Sequence, residues 1–411
     1  MLIEKTQTTD LTLDAEGGVT SPKGFTAGGI HVGVRSDWTK LDVGMVLSEA
    51  PCTTAAVYTS NTLKAEPLLL TQKHLADGKA QAIVANAGCA NAATGPQGLK
   101  NATEMARLAA ARLGIAPSDI IVASTGVIGT QLPMDRITDG ITNVALTPDG
   151  AMDFAVSIMT TDTVKKHLAV KTPNWTIGAA CKGVGMIHPN MATMLCFITT
   201  DAHVEQTFLQ TSLKQAVDVS FNMVDIDSDT STNDMAVVLA NRLVGGEPIS
   251  SGHPDADLFQ KALTLVCTSM ARKMVQDAEG GTKVIEARVQ GAASPEDARK
   301  AAREIVSSLG VKTAMYGMDP NWGRILAAIG NSSVQWAEGT TALYLAHPEG
   351  GEVCLYRDGA PQPYDVAGAK MCLEPEEIVV RVDLGLGAGE ATAWGSDLTD
   401  EFVRLNSMYT T

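Results

Sequence analysis

The chain has 411 residues, of which 45% are hydrophobic and 19% charged, with a formal net charge of −15. That length is enough for a large core and for two lobes. The acidic balance argues against nucleic acid as a partner, since phosphate binding needs a basic face, and it means that an anionic substrate must meet a local cation inside a pocket. The seven cysteines (52, 89, 181, 196, 267, 354 and 372) are spread singly with no C-x-x-C pair, the usage of a reducing compartment, so the cytoplasm is expected. The start, MLIEKTQTTD, lacks a basic region followed by a long apolar run, so no secretory signal is expected. No stretch reaches the ~18 apolar residues of a membrane span.

In chain order, residues 1–20 read as a polar arm, and 43–70 as strands giving way to polar turns. Residues 81–88 (QAIVANAG) read as a buried strand ending in a small-residue loop. NATEMARLAAARLGI (101–115) reads as a helix, with Asn101 at the cap and Glu104 three residues on. SDIIVASTGVIG (118–129) is a strand running into a Gly-punctuated turn, and MLCFITTDA (194–202) another strand. Segments 206–223 and 258–278 have helical spacing of apolar residues. SPEDARKAAREIVSSLG (294–310) is the cleanest helix, with Ser294 as cap, Pro295 in the first turn and Gly310 as the stop. IVVRVDLG (378–385) is a late strand. Helices and strands intermix without a strict βαβ rhythm, which predicts layered α/β or α+β architecture with helices packed on mixed β-sheets.

The chemistry concentrates in KGVGMIHPNMATMLCFITTD (182–201), a turn punctuated by Gly, Pro and Asn that enters an apolar strand. Small Ala192 precedes Thr193 there. Read alone, this is a surface turn entering a strand. Read chemically, attack of Thr193 Oγ on the Ala192 carbonyl, an N-to-O acyl shift and ester hydrolysis would leave Thr193 with a free α-amine. Hydroxyl and base would then share one residue, and an α-amine titrates near roughly 7.7–8.0, which suits a general base. GLGAGE (385–390) follows a late strand with no helix after it, so it is not read as a dinucleotide loop. The acidic run DIDSDTSTND lacks the Gly and terminal Glu of a calcium loop and is read as structural hydrogen bonding. DPNWGR (319–324) is read as a packing and turn motif. No metal-binding motif is found.

Segment 182–201, with ANAGCANAATG (85–95), ASTGVIG (123–129), SFNMVDIDSDTSTND (220–234), DAEGGTK (277–283), MDPNWGR (318–324) and ATAWGSDLTDEFVRLN (391–406), resembles the ornithine acetyltransferase (glutamate N-acetyltransferase) family, block by block and in the same order. The resemblance implies a fold similar to the aminopeptidase/ornithine acetyltransferase-like fold. It implies self-cleavage between Ala192 and Thr193, giving an α chain (1–192) and a β chain (193–411) that remain one globular unit of two lobes. It makes Thr193 the nucleophile and Thr125 with Gly126 the oxyanion hole. Substrate contacts fall on Thr160, Lys182, Thr193, Glu279, Asn406 and Thr411, with Thr161 the neighbouring choice for Thr160 because the MTTDT run (159–163) leaves the register open. Lys182 would pair with the α-carboxylate of the amino acid, and Glu279 would meet a substrate ammonium.

The implied reaction is ping-pong transfer of acetyl from N2-acetylornithine to L-glutamate through an acetyl-threonine ester. No metal or organic cofactor is expected. Whether acetyl-CoA also serves as donor stays open. The implied assembly is a heterotetramer of two α and two β chains, with no nucleic acid or membrane partner. An amidohydrolase or aminopeptidase with the same nucleophile but water as acceptor is the alternative, and an uncut scaffold is a third.

Overall fold

The structure is a computed structural model that describes residues 10–35, 40–188 and 194–408. Its strands form two sheets. The first begins with β1 (Thr12–Asp14), β2 (Phe25–Ile30), β3 (Val43–Tyr58), β4 (Lys79–Cys89), β5 (Ile120–Val127), β6 (Lys166–Lys171), β7 (Thr176–Lys182) and β8 (Leu195–Thr200). Then β9 (Val224–Asp225) departs to the second sheet, while β10 (Met235–Ala240) returns to the first. The order is β1-β6-β7-β8-β10-β3-β4-β5, with β2 on the first half of β3. The pairs β8–β10 and β4–β5 are parallel and the rest antiparallel. A register shift between Leu47 and Cys52 lets β3 serve β2 and β4 early and β10 late. Every residue of β8 and β10 is buried, as continuous apolar runs in a covered sheet require.

The second sheet holds β11 (Val284–Ala292), β12 (Ala342–Ala346), β13 (Glu352–Arg357), β14 (Ala360–Pro361), β15 (Glu377–Asp383) and β16 (Gly389–Ser396), in the order β14-β13-β12-β15-β11-β16-β9. Among the helices packed on the first sheet are α1 (Glu66–His74), α2 (Gly95–Leu113), α3 (Met134–Asn143) and α4 (Ala151–Ser157). Next come α5 (Gln206–Asp218) and α6 (Ala256–Gln276), then α7 (Pro295–Ser307), α8 (Leu309–Tyr316), α9 (Trp322–Asn331), α10 (Val366–Met371) and α11 (Asp400–Met408). Helix α6 joins the layers. Lys273 Nζ reaches back to the His167 carbonyl of β6 (3.0 Å), while Arg272 beside it reaches Glu377 of β15 (2.7 Å). The largest core cluster runs from β7 and β8 through α5 and α6 into β11, β15 and α7. The architecture is the layered α/β class expected, with helices on mixed sheets.

Several local expectations are corrected. Residues 10–20, read within a polar arm, contain β1, which pairs with β6, and bury Leu11 and Val19. Residues 66–70, read at the end of a stretch of strands giving way to polar turns, open helix α1: Pro67 sits in the first turn, where its missing N–H costs nothing, and Leu68 and Leu70 turn inward. Helix α2 starts at Gly95, not Asn101, for the same reason at Pro96. Asn101 is an interior residue, buried, whose amide donates to Gln131 Oε1 (3.2 Å). Gly310 does not stop α7; extended Ser308 ends it and caps α8 by accepting from the Val311 N–H (3.3 Å). The helix read over 206–223 ends at Asp218. Other readings hold: Ser294 accepts from the Asp297 N–H (3.1 Å) at the start of α7, Trp322 stacks on Tyr356 with ring centroids 5.6 Å apart, and GLGAGE leads from β15 into the start of β16.

Candidate active site

A cleft of about 170 Å³ opens where several chain segments end close together. Thr125 and Gly126 come from the end of β5, Thr160 and Thr161 from the loop after α4, and Lys182 from the end of β7. Glu279 follows α6, and Asn406 lies on α11. Seven residues singled out in the sequence therefore share one cleft, drawn from positions up to 281 apart in the chain (125 to 406). Ala192, Thr193 and Thr411 lie outside the described residues. The residue after Thr193 is placed: Met194 N–H donates to Asp234 Oδ1 at 2.8 Å, and the Met194 carbonyl accepts from Met235 N–H at 3.0 Å.

Gly126 has φ +130°, and a Cβ there would stand 2.3 Å from the Gly88 carbonyl carbon, so only glycine lets β5 finish against β4 in this shape. Thr125 beside it is buried. The carbonyl before Thr125, on Ser124, accepts from Asn233 Nδ2 (2.8 Å), which also donates to the Ala90 carbonyl (2.7 Å). One amide thus ties the β5 end to the loop after β4.

Glu279 has both oxygens engaged: Thr161 Oγ1 donates to Oε1 (2.5 Å) and Asn406 Nδ2 to Oε2 (3.1 Å). Thr160 faces the cleft too, but its N–H goes to Asp162 Oδ2 (2.9 Å). Lys182 is only 2% exposed. Burial lowers its affinity for the proton, and the carboxylates of Asp162 and Asp234 work against that loss. Burial would raise the Asp162 carboxyl, but Lys166 and Lys182 beside it and the Gly183 N–H hold it well below the usual carboxylate range. Asp234 also faces Lys182 and accepts from the Met194 N–H, but there burial outweighs them and pushes its carboxyl well above that range.

Sequence reasoning missed part of the lining. The run read as structural contributes Asp227, Asp229, Ser231, Thr232 and Asn233 to the wall. Asp227 also does the structural work expected of it, accepting from the N–H groups of Met186 and Ile187 (2.9 Å for the latter). Burial moves it up to about 6. Gly185 lies against the Glu279 carboxylate. The available signal was density: all seven residues of 227–233 are polar, more than hydrogen bonding of one turn requires.

A small cleft with a fixed cation, a fixed anion and adjacent hydroxyl and backbone donors is suited to acyl transfer on a zwitterionic substrate. Relatives share the whole chain. A protein of Symbiobacterium thermophilum called arginine biosynthesis bifunctional protein ArgJ is 49% identical over 96% of this chain and 99% of its own. The protein of that name from Bacillus subtilis is 46% identical over 98% of each. A solved structure, ornithine acetyltransferase of Mycobacterium tuberculosis complexed with ornithine, is 36% identical over 45% of this chain and 100% of that one, with a TM-score of 0.43. The protein is an enzyme of the acyltransferase class. More particularly, the chain belongs to the ArgJ family, whose model matches residues 26–411.

Proposed function

We propose that the enzyme transfers acetyl from N2-acetylornithine to L-glutamate in arginine biosynthesis, through an ester on Thr193 made available by self-cleavage at Ala192–Thr193. The observation that carries this reading is the gathering of Thr125, Gly126, Thr161, Lys182, Glu279 and Asn406 around one cleft, in a chain whose relatives are named for arginine biosynthesis. Lys182 pairs with the α-carboxylate of the bound amino acid, and Glu279, held by Thr161 and Asn406, takes the side-chain ammonium of ornithine. The bonds to Glu279 favour Thr161 over Thr160 as the substrate-side threonine.

In the first half-reaction Thr193 Oγ attacks the acetyl carbonyl and its proton passes to the α-amine of the same residue. That proton then goes to the ornithine nitrogen as the C–N bond breaks, leaving the acetyl ester and free ornithine. In the second, the glutamate amine attacks the ester, surrenders a proton by the same route and departs as N-acetylglutamate with the Thr193 hydroxyl restored. Thr125 and Gly126 hold the oxyanion each time, a contribution of roughly 3 kcal/mol per donor. Neither step calls for a cofactor; acetyl-CoA would enter as an alternative acetyl donor to the same threonine. The two products of cleavage, 1–192 and 193–411, stay together, paired into a heterotetramer in the cytoplasm. Among the described residues no helix is long and apolar enough to cross a membrane.

Denaturing mass spectrometry together with an acetyl-transfer assay tests this. Two fragments are expected, the second beginning at Thr193, and Thr193→Ala should remain one chain of 43.0 kDa with no transfer. A wild-type chain that stays whole while transferring acetyl would overturn the cleavage. Transfer only to water would replace acetyl transfer by hydrolysis.

A further inference from the structure

Behind the cleft lies a set of buried charges that the acetyl-transfer reading does not use. Asp162 is completely buried. Its Oδ1 accepts from Lys166 Nζ (2.8 Å) and from the Gly183 N–H (2.9 Å), and its Oδ2 from the Thr160 N–H (2.9 Å). One carboxylate therefore grips the residue before Thr161 and the residue after Lys182. Lys166, 1% exposed, also bonds Asp277 Oδ2 (2.5 Å) and the Val164 carbonyl (3.2 Å). Asp277 accepts from the N–H groups of Thr163 (3.1 Å) and Val164 (3.2 Å) and caps α6 two residues before Glu279. The Glu279 N–H in turn donates to the Val184 carbonyl (2.9 Å). Three stretches that supply substrate contacts (160–164, 182–184 and 277–279) are thus knotted by two carboxylates and one ammonium.

We propose that Asp162, with Lys166 and Asp277, is a positioning device for substrate binding: Asp162 keeps Lys182 in its cationic form and in line with Thr161 and Glu279, so that carboxylate and ammonium of one amino acid are met together. The substrate side of this rests on the acetyl-transfer reading above. The charge side does not. Lys182 is faced by Asp162 and Asp234, by Lys166 and by the Cys181 thiol. Of the two acidic neighbours Asp162 acts more strongly on Lys182, since burial pushes Asp234 well above the usual carboxylate range, and Lys166 is the cation that opposes. Removing the first should make Lys182 lose its proton more readily; removing the second should make it hold the proton longer.

The experiment titrates Lys182 in the full protein by NMR of 13Cε-labelled lysine, assigned with Lys182→Met. In Asp162→Asn, the midpoint should fall by about one pH unit or more, and in Lys166→Gln it should rise. KM for acetylornithine in Asp162→Asn should increase about tenfold while kcat changes less than about threefold, and its rise with pH should begin earlier than in the wild type. Opposite shifts from neighbouring substitutions are not produced by loosened structure. A Lys182 midpoint unmoved in Asp162→Asn, or lowered in Lys166→Gln, overturns the inference, and the second variant decides if the first does not fold. If the wild type transfers no acetyl yet both shifts appear, the acetyl-transfer reading falls and the charge device stands.

Discussion

A methyl group on Gly185 would stand 2.7 Å from Glu279 Oε2 and 2.8 Å from its carboxyl carbon. Those atoms end a flexible side chain, so the expected result of Gly185→Ala is a displaced carboxylate rather than a lost fold. Its bonds to Thr161 and Asn406 should break with it. Steady-state kinetics should show KM for acetylornithine raised about tenfold with kcat much less affected, and a thermal melt should remain close to wild type. An unchanged KM would mean that Glu279 does not touch the substrate. At this scale the sequence was legible where the family resemblance pointed to a residue, as at Thr125, Gly126, Lys182, Glu279 and Asn406, which the structure gathers around one cleft. Asp162, Gly185 and Asn233 were not, because their roles are set by partners far along the chain: Asp277 through Lys166, Glu279, and the carbonyls of Ala90 and Ser124. Nothing local in an aspartate within a threonine run announces a buried ammonium.

Helix ends were the least legible features among the elements, and the reason is physical. A cap is a competition between neighbouring start signals. In α2, Pro96 won over the polar Asn101 because proline tolerates only the first turn, whereas asparagine in a helix can be satisfied by a side chain such as Gln131. In α7 the serine start was plain, and it gives a clean test. Ser294→Ala removes the acceptor for the Asp297 N–H and should cost ~1 kcal/mol. Chemical denaturation should show a lower midpoint with no change in acetyl transfer, since α7 packs on β11 and β16 away from the cleft residues. A variant as stable as wild type would mean that water replaces the hydroxyl at no cost. Five strands, β3, β4, β5, β8 and β15, were readable from their apolar runs; their pairing was not. The parallel contact of β8 with β10 and the passage of β9 to the other sheet depend on partners that no single strand encodes.

Across the whole molecule, acidity acts in opposite directions at different buried carboxyls. Asp162 is held low by its two lysines, so its contribution to stability is present above the ordinary carboxylate range and is lost as pH falls through its depressed value. Asp227 is pushed from 3.8 up to about 6, so the folded form holds that proton more tightly than the unfolded chain does. Its contribution is full below 3.8 and is lost as pH rises through about 6. Comparing wild type with Asp227→Asn isolates the second effect: the melting temperature of wild type minus that of the variant should fall from pH 4 to pH 7, roughly the interval over which the carboxyl ionises. A constant gap would show that Asp227 is already charged at the lower end. Helix α11 brings a practical consequence. It has no buried residue, yet its Asn406 holds Glu279 at the rim of the cleft. An affinity tag fused behind it would hang beside the entrance on a segment with little grip on the rest of the protein, so recombinant preparations meant for kinetics should carry their tag at the opposite terminus.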